Sequence, residues 1–173
     1  GGNNCIIVDE TADMELVVPA IVFGAVGTAG QRCTSTRRVL VKDSIYEDLK
    51  NNLINAYKQV NIGDPLEKGT LMGPLVNESA VSDFSKAIDR AVKLGGEVVY
   101  GGTAIDGAGN FVTPTIIKAQ NDWDIVQEET FAPILYLIRY SDLDDAIRMH
   151  NDVPQGLSSS MFTMNIRRAE KFL

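Results

Sequence analysis

The chain has 173 residues and is acidic, because 23 Asp and Glu against 16 Lys and Arg give a formal net charge of −7 at pH 7. Nucleic-acid binding needs a basic face, and anionic membranes attract polybasic segments, so this balance argues against both partners. No run of about 18 apolar residues is present, and no transmembrane helix is expected. The length and the 45% hydrophobic content suit one globular domain, and only two cysteines favour a reducing compartment.

Strand and helix patterns alternate along the chain. Pro19 falls inside the first helical pattern. Ser44 and Glu47 have the spacing of a capping box at a helix start. Pro114 places the strand that contains it at an edge or a bend of the sheet. The predicted strands are Cys5–Val8, Arg38–Val41, Glu97–Tyr100, Phe111–Ile117, Pro133–Tyr140 and Leu157–Thr163. The predicted helices are Asp13 to about Val26, Ser44 to about Val60, a helix capped by Asn77 that ends before Gly95, and Ser141 to His150. This order indicates an α/β domain whose helices cover a mostly parallel or mixed sheet.

Cys33 is the first candidate for chemistry. It follows a glycine-spaced loop that begins at Gly27, so its thiol can be exposed and its backbone N–H can point at the atom that the sulfur attacks. The neighbouring Arg32, Arg37 and Arg38 favour the thiolate, which is the reactive form of cysteine. A lone cysteine also fits the role of a small buried apolar residue.

The second candidate is the segment Gln127–Pro133, in which the adjacent carboxylates Glu128 and Glu129 stand just ahead of a buried strand. Sheets of α/β proteins hold ligand groups at strand ends, and a carboxylate there can accept hydrogen bonds from a ribose diol. A solvated turn is the alternative, since Glu is nearly always exposed. No Cys/His cluster has the spacing of metal ligands.

Four motifs in order carry a family resemblance: Gly1–Asn4, Gly30–Thr34, Glu128–Pro133 and Gln155–Phe162. Together they resemble the catalytic domain of the NAD(P)+-dependent aldehyde dehydrogenase superfamily, along essentially the whole chain. The resemblance implies that the Cys33 thiolate attacks an aldehyde carbon, and that the thiohemiacetal loses hydride to NAD or NADP to leave a thioester that water hydrolyses. It also implies that Glu129 binds the nicotinamide ribose and that Phe131 packs near the nicotinamide.

The segment Gly27–Thr34, Ala132 and the serine run Ser158–Ser160 most resemble the antiquitin-type branch of this family, which oxidises α-aminoadipic semialdehyde in lysine catabolism. By the same resemblance, Arg32 is expected to contact the distal carboxylate of that small-molecule aldehyde. The net negative charge of the chain does not contradict an anionic substrate, because a single arginine at the site can bind the carboxylate.

The resemblance also sets expectations about residues outside the chain. The family's general-base glutamate precedes Gly1 by two positions, so we expect residues 1–173 to be the thiol-bearing domain alone. The cofactor-binding domain and the C-terminal oligomerisation segment would belong to a longer parent. We therefore expect the isolated chain to be inactive and the parent to be an active homo-oligomer, dimer or tetramer, in the cytoplasm or the mitochondrial matrix.

Two other functions stay open from the sequence. Relatives that transfer the acyl group to coenzyme A form the same thioester and do not need the general base. A truncated domain can also serve as a structural or oligomerisation module without catalysis, although neither Cys33 nor Glu129 is needed for packing.

Overall fold

The computed structural model describes residues 1–173. Its six strands are β1 (Asn4–Val8), β2 (Thr36–Lys42), β3 (Glu97–Tyr100), β4 (Thr115–Lys118), β5 (Ile134–Tyr140) and β6 (Ser159–Phe162). Its six helices are α1 (Met14–Val26), α2 (Tyr46–Tyr57), α3 (Glu78–Lys93), α4 (Asp124–Gln127), α5 (Leu143–Asn151) and α6 (Ile166–Phe172). The α/β class predicted from the alternating pattern is confirmed. None of these helices combines the length and the apolar character that a membrane crossing requires.

All six strands form one sheet in the order β3-β4-β5-β2-β1-β6. Five neighbouring strands, β4, β5, β2, β1 and β6, run parallel to one another. Only the edge strand β3 is antiparallel to its neighbour β4. The sheet is therefore mixed and mostly parallel. The central strands β1, β2 and β5 are buried almost throughout, as expected for parallel strands covered on both faces.

Helices α1, α2, α3 and α5 each bury one face in the core. α3 begins as the sequence predicts, since the side chain of Asn77 accepts the backbone N–H of Ala80, and it buries Phe84 and Ala91. α1 continues through Pro19 without a break. The result is one core of 35 buried apolar residues, which includes Cys5 at 3% exposure.

Two local predictions are wrong. Ser44 does not cap α2, because a 3-10 turn over Asp43–Ile45 precedes the helix and shifts its first residue; the Ser44 hydroxyl instead donates to Glu10. Pro114 predicts an edge or a bend for its strand, and the edge position is wrong. It lies one residue before β4, which pairs on both sides, so no ladder hydrogen bond needs its missing N–H.

Candidate active site

Four chain segments meet at the amino ends of the parallel strands. Residues 1–3 lead into β1, residues 31–35 into β2, residues 128–133 into β5, and residues 152–158 into β6. Open α/β sheets usually bind ligands at the opposite, carboxyl edge. The rule used to interpret Gln127–Pro133, that α/β sheets hold ligand groups at the carboxyl ends of their strands, therefore does not apply here. The motif residues nevertheless converge on one edge of the sheet.

The thiol of Cys33 is exposed at this edge, and a strained turn precedes it. Thr28, Ala29 and Gly30 all have left-handed backbone angles, with φ values of 56°, 53° and 65°. Gly30 also packs so tightly that a Cβ on it would lie 2.5 Å from the carbonyl oxygen of Ala132. Backbone strain of this kind is typical of functional sites, and here it brings the Cys33 loop against the segment that leads into β5.

The two adjacent carboxylates of the second motif point to different partners. Glu128 forms a two-pronged ion pair with Arg90 of α3, at 2.6 and 2.8 Å, and this hydrogen bonding lowers the pKa of Glu128. Glu129 is half-buried, and its Oε1 accepts the backbone N–H of Gly2 at 2.9 Å. Only Glu129 therefore lies at the site.

Gly2 connects the candidate nucleophile to this carboxylate. Its N–H donates to Glu129, while a Cβ on Gly2 would lie 2.2 Å from the carbonyl oxygen of Cys33. A Cβ on Gly1 would lie 2.1 Å from Oε2 of Glu129. A side chain at Gly2 would displace the Cys33 backbone, so this close approach requires glycine there, whereas a side chain at Gly1 would move only the Glu129 carboxylate.

Phe131 presents an aromatic ring, 43% exposed, on the same edge. The guanidinium of Arg37 lies 5.3 Å from the ring centroid and donates to the carbonyl oxygen of Ala132 at 2.9 Å. Burial lowers the pKa of Arg37 to about 10, so this side chain keeps its charge at neutral pH. Arg37 therefore fixes the segment around Phe131, a contact that the sequence does not predict.

Arg32 turns away from its own loop towards α1. Its guanidinium carbon lies 5.1 Å above the ring of Phe23, and its Nη2 makes a long hydrogen bond of 3.5 Å to the Phe23 carbonyl. Its buried Nε has no acceptor among the protein atoms. Arg32 and Phe23 line a cavity of about 490 Å³ together with Val22 and Leu71. An aliphatic chain that ends in an anion would match this lining.

Arg38 is the centre of a buried polar network that the sequence interpretation missed. It is fully buried and donates to Oδ1 and the carbonyl of Asn3, to Oδ1 of Asn121, and to the carbonyls of Met149 and His150. All five hydrogen bonds stay within this buried network, and none is made to Cys33. The available signal was a charged residue at the start of the predicted apolar strand Arg38–Val41.

His150 is buried, and its ring makes packing and hydrogen-bond contacts inside the domain. Its Nε2 contacts the hydroxyl of Ser159, and its ring packs edge-on against Phe172 at 5.6 Å. Burial, followed by the positive charge of Arg38, lowers the pKa of His150 from 6.5 to about 4. These contacts give His150 a packing role.

This pKa shift predicts a loss of stability in mild acid. Between pH 6.5 and about 4, the unfolded chain binds a proton at His150 that the folded chain does not bind, so the free energy of unfolding decreases as the pH falls. We expect a loss of about 1–2 kcal/mol between pH 7 and pH 5, measured by urea denaturation. His150 is the only histidine in the chain, so His150→Gln should remove most of this difference. An unchanged difference in the variant would contradict the assignment.

The edge thus combines an exposed thiol, a carboxylate that can accept hydroxyl groups, and an exposed aromatic ring. A thiol in such a position is suited to nucleophilic catalysis, and a carboxylate beside an aromatic surface is suited to a nucleoside ligand. The fold and the site together define an α/β domain that presents an exposed thiol and a carboxylate at one edge of its sheet.

The sequence profile described as "Aldehyde dehydrogenase family" matches residues 1–173. The chain belongs to the aldehyde dehydrogenase family. It is 51% identical to aldehyde dehydrogenase family 7 member A1 of Brassica napus over 94% of this chain and 33% of that protein. It is 48% identical to alpha-aminoadipic semialdehyde dehydrogenase of Mus musculus over the whole chain and 32% of that protein. The chain therefore spans about a third of the length of these relatives.

Solved structures have the same fold. Lactaldehyde dehydrogenase from Escherichia coli superposes with a TM-score of 0.96 at 38% identity, over 99% of this chain and 36% of that chain. Betaine aldehyde dehydrogenase from Staphylococcus aureus, solved in complex with NAD+, superposes with a TM-score of 0.96 at 30% identity, over 99% and 35% of the two chains. The resemblance stated from the four motifs is confirmed at the level of family and fold.

Proposed function

We propose that residues 1–173 are the thiol-bearing catalytic domain of a longer NAD(P)+-dependent aldehyde dehydrogenase, and that this parent protein oxidises an aldehyde to a carboxylic acid. The observation that carries the proposal is the convergence of Cys33 and Glu129 on Gly2, at the edge where Cys33 is exposed. Family membership supports the reaction type. The activity is assigned to the parent because the chain spans about a third of its relatives.

The residues at the edge fit a nicotinamide cofactor. Without side chains, Gly1 and Gly2 let the Glu129 carboxylate lie directly against their backbone, and its oxygens can accept ribose hydroxyl groups there. The exposed ring of Phe131, fixed by Arg37, offers an apolar surface beside it. When bound, NAD supplies an acceptor for the hydride that the substrate carbon loses. The NAD+ complex of the staphylococcal relative supports this choice, with NADP as the alternative nucleotide.

Cys33 performs the covalent step in this proposal. Its thiolate attacks the aldehyde carbon and forms a thiohemiacetal, whose oxyanion accepts the backbone N–H of Cys33. After oxidation, the carbon remains bound to Cys33 as a thioester, and water releases the acid. We assign the general base for that water to a residue of the parent outside residues 1–173, and we therefore expect the isolated chain not to turn over.

The substrate in this proposal is α-aminoadipic semialdehyde. Arg32, next to the nucleophile in the chain, would contact its distal carboxylate, and the position of Arg32 in the lining of the 490 Å³ cavity supports this role. The mouse relative is named for this substrate, which supports the same class. We further propose that the parent is a homo-oligomer, dimer or tetramer, that acts in the cytoplasm or the mitochondrial matrix. Both cysteines are free, as a reducing compartment requires.

The identity of the released product, free acid or acyl-coenzyme A, distinguishes the proposed function from coenzyme A-dependent acylation. The full-length parent, incubated with NAD+, the semialdehyde and coenzyme A, should release the free acid as the product, measured by mass spectrometry. Acyl-coenzyme A as the main product would favour the acylating reaction. No turnover of any aldehyde with NAD+ or NADP+ would favour a structural module.

Glu129→Gln in the parent should weaken cofactor binding selectively. A neutral amide accepts hydroxyl groups less strongly than a carboxylate, so we expect KM for NAD to rise about tenfold, with a smaller change in KM for the aldehyde. Glu128→Gln is the matched control, because Glu128 pairs with Arg90 on α3 and should leave KM for NAD unchanged. Equal effects of the two variants would contradict the assignment.

A further inference from the structure

The carboxamide of Asn4 joins three of the four segments that meet at the amino edge. Its Nδ2 donates to the carbonyl oxygens of Cys33 at 2.8 Å and Ser35 at 2.7 Å. Its Oδ1 accepts the backbone N–H of Ser158 at 3.1 Å. Asn4 itself is 5% exposed and begins strand β1. One side chain therefore connects the start of β1 with the loops that lead into β2 and β6.

These contacts fix the peptide groups around Cys33. The carbonyls of Cys33 and Ser35 both face the same amide nitrogen, so the turn that carries the thiol closes around Asn4. The turn is closed on its other side by the backbone N–H of Arg32, which donates to the Ser35 hydroxyl at 3.1 Å. Gly2 contacts the same Cys33 carbonyl, and a side chain there would push it away. The Cys33 backbone is thus held from several directions while its thiol stays exposed.

The neighbouring Asn3 has a different task. Its Nδ2 donates to the carbonyls of Val126 and Gln127, and its Oδ1 accepts Nε of Arg38. It therefore belongs to the buried network beneath the site and does not contact the Cys33 turn. Successive residues at the end of a strand point to opposite faces, which explains why only Asn4 reaches Cys33.

We propose that Asn4 is the positioning residue for the nucleophile: its amide holds the Cys33 carbonyl, and so sets the direction of the thiol and of the Cys33 N–H towards the substrate carbonyl. This inference rests on the proposed function, since the direction of Cys33 matters to turnover only if Cys33 is the nucleophile. A misplacement of about 1 Å at a reacting group costs on the order of 100-fold in rate. Asn4 therefore affects kcat through Cys33 without touching the substrate.

Asn4→Asp in the full-length parent tests this proposal. The substitution keeps the shape and the acceptor for Ser158 but places a carboxylate oxygen against two carbonyl oxygens, so the Cys33 turn loses its donor. We expect kcat per active site to fall about 10–100-fold, while KM for NAD and for the aldehyde stays within about twofold. Unfolded protein is first removed by gel filtration, and active sites are then counted by titration of the Cys33 thiol with iodoacetamide in the folded fraction.

Asn121→Ala is the control for general loss of structure, because Asn121 is also buried and binds Arg38 and Asp152 without contacting the Cys33 turn. It should reduce stability and leave kcat per titrated site unchanged. If Asn4→Asp does not accumulate as folded protein, Asn4→Ser supplies the measurement, since one hydroxyl can donate to only one of the two carbonyls.

A kcat per titrated site within twofold of wild type in the Asn4 variant would overturn the proposal. So would a fall of equal size in Asn121→Ala. The proposed function fails separately, if the wild-type parent oxidises no aldehyde or if Cys33→Ala retains the activity.

Discussion

Replacing Cys33 with alanine in the full-length parent is expected to abolish aldehyde oxidation, with kcat falling by about 10³-fold or more. The exposed thiol of Cys33 is the group that we propose forms the covalent bond to the substrate carbon, and alanine cannot replace it. The measurement is the steady-state formation of NADH with saturating aldehyde. Because the substitution is small and at an exposed position, the urea midpoint should stay close to that of wild type.

Cys5→Ala is the matched control for the thiol. Cys5 is buried in β1 at 3% exposure, and burial raises its pKa to about 11, so it is both shielded and protonated at neutral pH. Iodoacetamide should therefore label Cys33 in the folded protein and leave Cys5 unmodified, as read from peptide masses. Cys5→Ala should retain kcat. Activity in Cys33→Ala, or its loss in Cys5→Ala, would contradict the assignment of the nucleophile.

Arg38→Met is expected to produce the largest loss of folding stability, about 3 kcal/mol or more. Arg38 is fully buried and makes five hydrogen bonds, so its removal leaves buried carbonyl and amide oxygens of four residues without their donor. Methionine fills much of the volume but offers no N–H group. Urea denaturation of the chain, followed by circular dichroism, measures the difference.

The exposed Arg148 gives the control for this prediction. Its guanidinium pairs only with Asp145 one turn away in α5, and its side chain is 68% exposed. Arg148→Met should therefore change the free energy of unfolding by less than about 0.5 kcal/mol. A similar cost for the two arginines would mean that the buried network contributes little.

The sequence predicts the order of strands and helices well because the apolar periodicity is strong in the buried elements. The sequence predicts the ends of elements less well, because a shift of one or two residues changes whether a residue caps a helix or lies inside a strand. Ser44 has capping-box spacing, yet a 3-10 turn moves the first residue of α2 beyond it. Pro114 counts against an interior strand only if it lies inside the ladder, and it lies one residue before β4.

The residues of the candidate site likewise include some that the sequence indicates and some that only the structure identifies. Cys33 and Glu129 stand in motifs that the chain carries locally, and the comparison with a family adds their roles. Asn4 and Arg38 become informative only when segments more than 100 residues apart converge on them, such as Ser158 on Asn4 and Met149 on Arg38. No spacing in the sequence reports such contacts, and a polar residue in a strand has many possible partners.

The central claim is that Cys33 carries the substrate as a thioester during turnover. The full-length parent should be mixed with NAD+ and excess aldehyde, quenched in acid within one turnover, and digested for mass spectrometry of the peptide that contains Cys33. We expect the mass of the substrate's acyl group on Cys33, present with NAD+ and absent without it. Turnover with an unmodified Cys33, or an acyl group on another residue, would contradict the account.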